Sequence, residues 1–425
     1  MIILFRVDTG IIIGTGHLMR CLNLAKKLAK RYDNCKIIWA TTEHPNNLIA
    51  RIPESDYIIR LKPEKGHIMT DDTFTWLGSV ENDVKQMVSG LNHIIEYDIK
   101  RIDLLIVDHY GIDYRWESKC LGSMELSDIE IGKILVIDDL ANRDHICDYL
   151  IDTTYQVDIS KKNENEKEKL NKYHKNQLIS IETITLLGSK YVMLNPAFYT
   201  TDSNSINPLI RRDTYHSKFR VSISFGGADI PNMTGRVLES ILREYHTISN
   251  ITIDIILGGL NQHKDDIINL INNYHNNHHN NIESNNHNNH NNHHNHIESN
   301  NSPVNINLYQ NLSYQDLMTL LEETHLNIGA GGVTLYERCY LGIPSIVITL
   351  AENQVENATN MAEDEIITYL NGEKDNWKHE ELIDAIKKYR EDEEYWKESS
   401  QRCKSIVDDQ GCNRIISALD LFLDF

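Results

Sequence analysis

Short apolar segments rich in Ile, Val and Leu recur along this chain, and they constrain its fold more than any other feature. Stretches with helical spacing separate them, and continuous β-branched runs that alternate with helices are typical of parallel strands covered on both faces. The pattern starts again near residue 219, after the polar, turn-rich stretch TTDSNSINP. The principal runs are residues 2–7, 36–40, 104–107, 134–137, 220–225, 251–257 and 345–350.

This alternation predicts an α/β protein with two Rossmann-like domains facing an interdomain cleft. We assign residues 1–200 to the first domain, residues 215–372 to the second, and residues 373–425 to a C-terminal helical segment. A chain of 425 residues is long enough for two hydrophobic cores. Ligands of open α/β sheets bind beyond the carboxyl ends of the strands, so we expect the functional residues in the loops that follow strands.

Two polar segments look like additions to this framework. Residues 158–178 are rich in Lys, Glu and Asn and are expected to form an exposed excursion. Residues 272–301 consist mostly of Asn and His, and IESNN occurs in them twice. A tract of this composition cannot bury enough surface to offset its ordering entropy, which predicts a disordered surface insertion in the second domain. Weak metal binding by its histidines is the alternative.

The net charge of −20 argues against a nucleic-acid partner, because contact with phosphate backbones needs a basic surface. The seven cysteines are an odd number and form no CxxC motif, which indicates reduced thiols in a cytoplasmic protein. Arg6 and Asp8 interrupt the N-terminal MIILFRVDTG, which resembles a first strand more than a signal peptide. No apolar run in the sequence is long enough to span a membrane, and we expect a monomer without a membrane partner.

A Gly-rich turn in the second half of the chain carries the strongest functional signal. Gly329 to Gly332 follow an apolar run and open a segment with helical spacing, within NIGAGGVTLYERCYLGIPSIVITLAENQ. Glycines let a backbone approach an anion, and a helix N-terminus presents unpaired N–H groups to it. Glu337, five residues after Gly332, is placed to accept hydrogen bonds from a ribose diol. Taken alone, the motif fits an ordinary strand–turn–helix equally well.

A second glycine loop, GTGHLMR, follows the first predicted strand. Gly14 and Gly16 precede His17 and Arg20, and a helix begins there. An imidazole at a helix start can act as a general base near neutral pH, and the positive end of the helix dipole helps to keep it neutral. A lone histidine would favour the simpler role of a cap or a core hydrogen-bond partner.

Two more loops of the first domain place polar residues after strands. In IVDHYG, Tyr110 can donate a hydrogen bond or orient a water, while capping of the next helix is the alternative role of Asp108. In VIDDLANRDHICDYLID, the adjacent Asp138 and Asp139 suggest metal ligation. No matching ligand spacing accompanies them, which favours turn or capping roles. We therefore expect neither a metal nor a cofactor.

The second domain opens with another glycine turn, SFGGADIPNMT, which contains Gly226, Gly227 and Asp229. It lacks the lysine of a P-loop and does not match GxGxxG, so a standard dinucleotide site is not expected. Such a turn can contact a diphosphate or form the wall of the cleft.

Seven motifs follow one another in an order that resembles a known family. They are FRVDTGIIIGTGHLMR, WLG, LLIVDHYG, VIDDLANRDHICD, LLGSKYVMLNPAF, SFGGAD and NIGAGGVTLYERCYLGIPSIVITLAENQ. Together they resemble the hydrolases of UDP-2,4-diacetamido-2,4,6-trideoxy-β-L-altropyranose, which act in pseudaminic acid biosynthesis and are relatives of the MurG-type glycosyltransferases. The resemblance covers roughly residues 1–365 apart from the two insertions.

The resemblance implies a GT-B fold and a metal-independent hydrolysis that releases UDP and the free sugar, with inversion at the anomeric carbon. It implies that His17 is the general base and that Tyr110 and Asn353 support the sugar and the water. It also implies that the GGxTxxE element binds the uridine side. The full set of substrate-binding candidates is Gly14, Gly16, Arg20, Asp108, Gly226, Gly227, Asp229, Gly331, Gly332, Thr334, Glu337 and Gln354.

Two other functions compete with hydrolysis. A GT-B glycosyltransferase would pass the sugar from the same UDP-sugar donor to an acceptor hydroxyl. The sequence shows no basic or apolar patch for a lipid acceptor, and its acidity favours water as the acceptor. A non-catalytic nucleotide-sugar-binding protein is the third possibility, and the joint presence of His17, Tyr110 and Asn353 weighs against it.

Overall fold

Two sheets built almost entirely from parallel strands organise the computed structural model of this protein. The structure describes residues 1–70, 72–94, 99–125, 127–157, 172–198, 211, 213–248, 250–278, 294–295, 304–371 and 376–421. The chain divides into two compact units, one of Met1–Asn195 with Asp409–Phe425 and one of Pro196–Asp408.

A parallel sheet forms the centre of the first unit. Its strands are β1 (Ile2–Val7), β2 (Lys36–Thr42), β3 (Tyr57–Leu61), β4 (Arg101–Asp108), β5 (Glu130–Ile137), β6 (Tyr149–Asp152) and β7 (Ile184–Leu187). They are arranged in the order β3-β2-β1-β4-β5-β6-β7. The strand order therefore reverses between β1 and β4, and this is where ligands of such sheets bind.

The sheet of the second unit repeats this plan. Its strands are β8 (Phe219–Ser224), β9 (Ile251–Leu257), β10 (His294–Asn295), β11 (Val304–Gln310), β12 (Leu326–Gly329), β13 (Ser345–Ile348) and β14 (Thr368–Leu370). The order is β10-β11-β9-β8-β12-β13-β14, and the short β10 pairs antiparallel with β11. The reversal falls between β8 and β12. The predicted fold class, two Rossmann-like α/β domains, is confirmed.

Helices connect the strands and cover the sheets. They are α1 (Gly16–Arg31), α2 (Val80–Asn92), α3 (Tyr114–Glu125), α4 (Lys172–Lys175), α5 (Met233–Arg243), α6 (Lys264–His278), α7 (Tyr314–Glu322), α8 (Val333–Tyr340), α9 (Val355–Glu363), α10 (His379–Glu391), α11 (Glu393–Ser405) and α12 (Gly411–Asp420). Within the described ranges, no helix has the length and apolar character needed to cross a membrane.

Helix α1 shows how the sequence fixes the position of a functional residue. Leu18, Cys21, Leu24 and Leu28 recur every three or four positions and are buried in the first unit's core. Burying one leucine side chain contributes roughly 1.5–3 kcal/mol, so this face holds α1 firmly on the sheet. The first turn of the helix, with His17, is thereby fixed beside the ends of β1 and β4.

The C-terminal helical segment is divided between the two units. Leu382 of α10 and Trp396 of α11 belong to the core of the second unit, whereas α12 packs in the first unit. The Tyr32 hydroxyl donates to Asp420 at 2.7 Å there. A Cβ on Gly411 would lie 2.0 Å from a backbone carbonyl oxygen, so this close approach requires glycine. The apolar faces of these three helices therefore belong to two different cores.

The two polar insertions begin or end inside regular structure. Residues 272–278 belong to α6, where Tyr274 is buried, so the prediction of disorder is wrong for them. At the end of the other insertion, α4 returns to the core through the fully buried Tyr173. Residues 158–171, 279–293 and 296–301 lie outside the described residues.

Candidate functional site

In the first unit, two of the predicted loops meet where the strand order reverses between β1 and β4, which we call the switch point of the sheet. Val7 at the end of β1 pairs with Asp108 at the end of β4. The loop to α1 starts after Val7, and the DHYG loop starts at Asp108. His17, Arg20, Asp108 and Tyr110 consequently lie in one cluster, although 88 positions of the chain separate Arg20 from Asp108.

The glycine loop has a tight backbone conformation that sets the start of α1. Gly10 and Gly14 bond to each other as an isolated antiparallel bridge, with the Gly14 amide donating to the Gly10 carbonyl oxygen at 2.9 Å. Gly14 has a φ of 83°, which L side chains rarely adopt. Thr15 precedes the helix without a side-chain cap, and Gly16 is its first residue. Gly14 and Gly16 thus act through the backbone.

The imidazole ring of His17 is buried. Its relative exposure is 7%, and neither ring nitrogen has a hydrogen-bond partner among the described residues. The ring lies edge-on to Tyr110, with centroids 4.4 Å apart, and edge-on to Trp76 at 6.2 Å. Among the described residues, the nearest carboxylate oxygen is Asp108 Oδ1, 3.9 Å from Nε2. An unpaired buried polar group costs stability, so a site that keeps one is a candidate for function.

The surroundings of His17 keep the ring uncharged. Burial lowers the pKa of His17 to about 4, and the opposing attraction of Asp108 only partly offsets it. Arg20 lowers the pKa further. At neutral pH the imidazole therefore has a free lone pair and can accept a proton, as a general base requires.

Arg20 binds two carboxylates of the same cluster, and a phenol binds one of these carboxylates. Its Nε and Nη2 donate to the two oxygens of Asp108, both at 2.7 Å, and its Nη1 donates to Asp139 at 2.5 Å. The Tyr110 hydroxyl donates to the same Asp139 oxygen at 2.9 Å. Arg20 and Asp108 were predicted to bind substrate, but their side chains are committed to each other. Asp139 takes part in this network, whereas the sequence favoured a turn role for it.

A second buried network lies beside the first and was missed at the sequence level. Arg6 donates to Asp8 at 2.6 Å and to Asp83 at 2.6 Å. His109 Nδ1 accepts the Gly111 amide at 3.1 Å, so its Nε2 carries the proton and donates to Asp8 at 3.2 Å. The signal available in the sequence was the pair Arg6 and Asp8 beside an apolar run. Their partners, Asp83 in α2 and His109 after β4, are distant in the chain, so no local pattern could identify them.

The carboxylate of Asp138 binds backbone amides. It accepts the amides of Leu140 at 3.2 Å and Ala141 at 3.0 Å and pairs with Arg143 at 2.8 Å. His145 is held on the other side, with Nδ1 2.7 Å from Glu117. Burial lowers the pKa of His145, but the hydrogen bond to Glu117 and the attraction of the Glu117 and Asp138 carboxylates outweigh it and raise the pKa to about 9. This geometry matches the turn role favoured for Asp138.

A cleft of about 370 Å³ opens in the first unit at the carboxyl ends of β2 and β3. Trp76 lines it together with His44, Lys62 and Asp83. Because Trp76 also lies edge-on to His17, the cleft adjoins the cluster around the imidazole.

The switch point of the second unit brings together its two glycine turns. Ser224 at the end of β8 pairs with Gly329 at the end of β12, so the turns that follow these strands are neighbours. A Cβ on Gly329 would lie 2.3 Å from the Ser224 carbonyl oxygen, which only glycine avoids. Gly226 follows with a φ of 82°, and Gly227 lies beside Gly258.

Asp229 and Gln354 bind backbone groups of this unit. Asp229 accepts the amides of Met233 at 2.8 Å and Thr234 at 2.9 Å in the first turn of α5, whose N-cap is Asn232. Gln354 Oε1 accepts the amides of Gly331 at 3.2 Å and Leu350 at 3.1 Å. Both side chains, predicted to bind substrate, are engaged in shaping the turns.

The start of α8 leaves room for a ligand. Gly332 precedes the helix with no side-chain cap, and a Cβ there would meet no described atom within 4 Å. Thr334, in the first turn, accepts from Arg338 Nη1 at 3.2 Å. The first amides of a helix have no intrahelical partner and attract anions. This element can therefore hold a phosphate.

Glu337 lies on the buried side of α8 with a relative exposure of 8%. Its carboxylate makes no hydrogen bond to a described residue, and burial raises its pKa to about 7. A ligand that donated hydrogen bonds to this carboxylate would offset the cost of burying it. Asn353 lies in a short 3₁₀ helix, Glu352–Gln354, and is partly exposed.

Comparison with known proteins finds a similarity over much of the second half of the chain. Residues 255–410 match the glycosyltransferase family 28 C-terminal domain. Over 353 residues the chain is 23% identical to the uncharacterized protein MJ1062 of Methanocaldococcus jannaschii. That match covers 82% of this chain and 56% of the relative, so the chain spans about half the length of the curated protein it matches.

Solved structures share the fold along the whole chain. MurG of Acinetobacter baumannii has a TM-score of 0.57 at 11% identity, and the alignment covers 99% of both chains. UDP-GlcNAc 2-epimerase of Neisseria meningitidis, solved with UDP-GlcNAc, has a TM-score of 0.55 at 12% identity. The alignment with the epimerase covers 99% of this chain and 100% of that one. The chain therefore has the two-domain, glycosyltransferase-like GT-B fold.

Proposed function

We propose that this protein hydrolyses a UDP-linked sugar at its anomeric carbon and releases UDP and the free sugar. The observation that carries this proposal is His17, a neutral buried imidazole at the switch point of the first unit, with both nitrogens unpaired among the described residues. Hydrolysis needs a base that deprotonates water, and few buried histidines are left without a partner.

In the proposed reaction, His17 takes a proton from water while the water oxygen bonds to the anomeric carbon. The bond from that carbon to the UDP oxygen breaks, and its electron pair leaves with UDP. The reacting sugar passes through an oxocarbenium-like state, so the nucleophile needs activation and the leaving group needs charge stabilisation. Tyr110, packed on His17, and Asn353 are proposed to orient the sugar and the water.

The second unit is proposed to bind the UDP portion. Amides at the start of α8 and the open space at Gly332 suit a diphosphate, and Thr334 lies in the same turn. Glu337 is proposed to accept hydrogen bonds from the hydroxyls of the ribose. Its buried carboxylate supports this role, since such a group gains most from a hydrogen-bonding ligand. Gly226 and Gly227 are proposed to form the neighbouring wall.

The substrate that the sequence favours is UDP-2,4-diacetamido-2,4,6-trideoxy-β-L-altropyranose. Its support is the ordered set of seven motifs that resembles the hydrolases of pseudaminic acid biosynthesis. The groups of the second unit are compatible with UDP and do not distinguish among sugars.

The test is release of UDP from a panel of UDP-sugars, measured with the purified full chain, with and without acceptor alcohols. Formation of free sugar and UDP in equal amounts without an acceptor is expected, and excess EDTA should leave the rate unchanged. Asp138 and Asp139 are already engaged by Arg143, Arg20 and Tyr110. If a chelator abolished turnover and Mg²⁺ or Mn²⁺ restored it, these carboxylates would have to be reconsidered.

A glycosyltransferase that uses a UDP-sugar donor is the second candidate. The match to the glycosyltransferase family 28 C-terminal domain favours it. Turnover that required an added acceptor, with the sugar recovered on that acceptor, would replace hydrolysis by transfer. Binding of UDP without turnover of any donor would instead favour a binding protein.

A further inference from the structure

The arrangement around His17 includes a carboxylate that makes no contact with solvent. Asp108 is 0% exposed and lies at the end of β4, with Oδ1 3.9 Å from His17 Nε2. Its Oδ2 also accepts the Cys21 thiol at 3.3 Å. No other acidic residue in the described part of the chain has a carboxylate oxygen within 4.0 Å of a His17 nitrogen.

Arg20 holds the Asp108 carboxylate through a hydrogen bond to each of its two oxygens. Its two donors to Asp108 are paired, at 2.7 Å each, and such paired bonds restrict the rotation of a carboxylate more than single bonds do. Arg20 lies three positions after His17 on α1, so both side chains project from one face of the helix. Helix α1 therefore carries both His17, the proposed base, and Arg20, which holds the neighbouring Asp108 carboxylate in place.

We propose that Asp108 is a positioning residue for His17, which orients the imidazole with Nε2–H towards Asp108 and leaves Nδ1 to take the proton of water. This inference rests on the proposed function of His17 as the base. A neutral imidazole has one N–H, and that hydrogen is favoured on the nitrogen that faces a carboxylate. Arg20 makes the pair with Asp108 nearly neutral, so Asp108 selects the tautomer without charging the ring.

The proton balance of the step follows from this orientation. Water gives its proton to Nδ1, its oxygen bonds to the anomeric carbon, and UDP departs with the electron pair of the broken bond. Nε2–H then lies beside Asp108 and the imidazolium is stabilised by the carboxylate, which itself stays ionised. The proton on Nδ1 leaves to solvent after the products separate.

Several charged or titratable groups surround His17 and influence its response to pH. Arg20 lies on α1, Asp108 and His109 at the end of β4, and Asp139 after β5. The phenol of Tyr110 packs against the ring. Asp108 and Asp139 favour the imidazolium, whereas Arg20 and His109 disfavour it.

The first experiment needs no substrate. Nitrogen-15 NMR of the histidine-labelled full chain identifies the His17 signals as those lost in His17→Asn. The expected tautomer of the wild type is Nε2–H, and in Asp108→Asn it should shift towards a mixture of both forms. An Nδ1–H tautomer in the wild type would overturn the proposal, even if no UDP-sugar were ever hydrolysed.

The second experiment measures turnover against pH. Asp108→Asn should lower kcat by roughly 100- to 10,000-fold with KM little changed. In the wild type, Asp108 raises the pKa of His17. The substitution removes this effect, so the acid limb of the pH profile, which His17 sets, should move to lower pH. A loss of activity in proportion to unfolding, with an unmoved limb, would show that Asp108 is only structural.

A matched control exists in the second unit. Asp254 is also 0% exposed and is held by Arg220 Nε and Nη2 at 2.8 Å each. Asp254→Asn should lower stability and leave the His17 tautomer and the pH limb unchanged. If Asp108→Asn does not fold, the double variant Arg20→Gln with Asp108→Asn removes both buried charges. A wild-type tautomer in that folded double variant would contradict the proposal.

Discussion

The two units use the same topology at their switch points but fill it with different chemistry. In the first, the strand ends carry buried charges: Arg20 binds Asp108 and Asp139, and Arg6 binds Asp8 and Asp83. In the second, the strand ends carry glycines, and the nearby Glu337 forms no ion pair with a described residue. The comparison teaches that one topology can hold either paired side chains or exposed backbone at its strand ends, which suits the first unit to the proposed proton transfer and the second to the proposed binding of a diphosphate.

The largest expected effect tests the chemical role of the first unit. His17→Asn should lower kcat by roughly 100- to 10,000-fold, because the variant cannot accept the proton of water. The affinity for UDP should stay near that of the wild type, since UDP is assigned to the second unit. Steady-state kinetics and calorimetric titration of UDP measure the two quantities.

His216 provides the control for this change. It is exposed and pairs with Glu393, so His216→Asn should leave kcat unchanged. Activity of His17→Asn within a few-fold of the wild type would end the assignment of a general base to the first unit.

The next effect concerns the pH dependence of the free energy of unfolding, in which two buried histidines of the first unit, His145 and His17, act in opposite directions. The pKa of His145 is raised to about 9, so the folded state binds this proton more tightly than the unfolded state. The resulting stabilisation is complete below about pH 6.5 and is lost as the pH rises through 9. Its size is on the order of 3 kcal/mol. His17, with a pKa of about 4, has the opposite sign, and stability falls as the pH drops from 6.5 towards 4.

Urea unfolding between pH 6 and pH 10 measures the effect of His145. The wild type should lose stability over this range, and His145→Gln should be less stable at pH 6 and lose much less thereafter. Parallel profiles for the two proteins would show that the ion pairs with Glu117 and Asp138 do not control this pH dependence.

Glu337 tests nucleotide binding in the second unit. Charge-assisted hydrogen bonds contribute roughly 1.5–3 kcal/mol each, so Glu337→Ala should weaken UDP binding by about 10- to 100-fold. The rate at saturating substrate should change much less. Glu381→Ala, at an exposed position of α10, is the control and should be silent. Unchanged UDP affinity in Glu337→Ala would remove this residue from the site.

A smaller effect is expected at the glycine before α8. Gly332 has a φ of −79° and open space where the methyl group of an alanine would lie, so alanine fits the protein without strain. Gly332→Ala should therefore keep the melting temperature and weaken UDP binding by roughly tenfold, if a diphosphate approaches this backbone. Equal affinity of the two proteins would move the diphosphate elsewhere.

The smallest effect is expected from the Asn/His-rich tract. Replacing residues 279–293 by a short Gly/Ser linker should leave UDP release and the melting temperature almost unchanged, because the sequence there lacks apolar periodicity. In contrast, Tyr274→Ala, in the described end of α6, should cost about 3 kcal/mol of stability. A collapse of folding or activity in the linker variant would show that the tract has a structural role.

The sequence predicted the fold from its repeated pattern. Runs such as residues 2–7 and 251–257 appear as β1 and β9 with their predicted bounds. It was less successful with segments whose partners lie far away. Residues 272–278 look polar, yet they continue α6 because Tyr274 and His275 are buried by neighbours that composition does not reveal.

Sequence alone also determined where glycine turns and polar residues follow the strands, because these are local signals. It could not determine what each side chain contacts. Asp229, Gln354 and Arg20 are predicted to bind substrate, and that prediction stays open; only the tertiary structure shows that they also bind amides of a helix start, two turn amides and two carboxylates, respectively. The physical reason is that hydrogen bonds and burial depend on groups brought together by packing, at sequence separations where no periodicity survives.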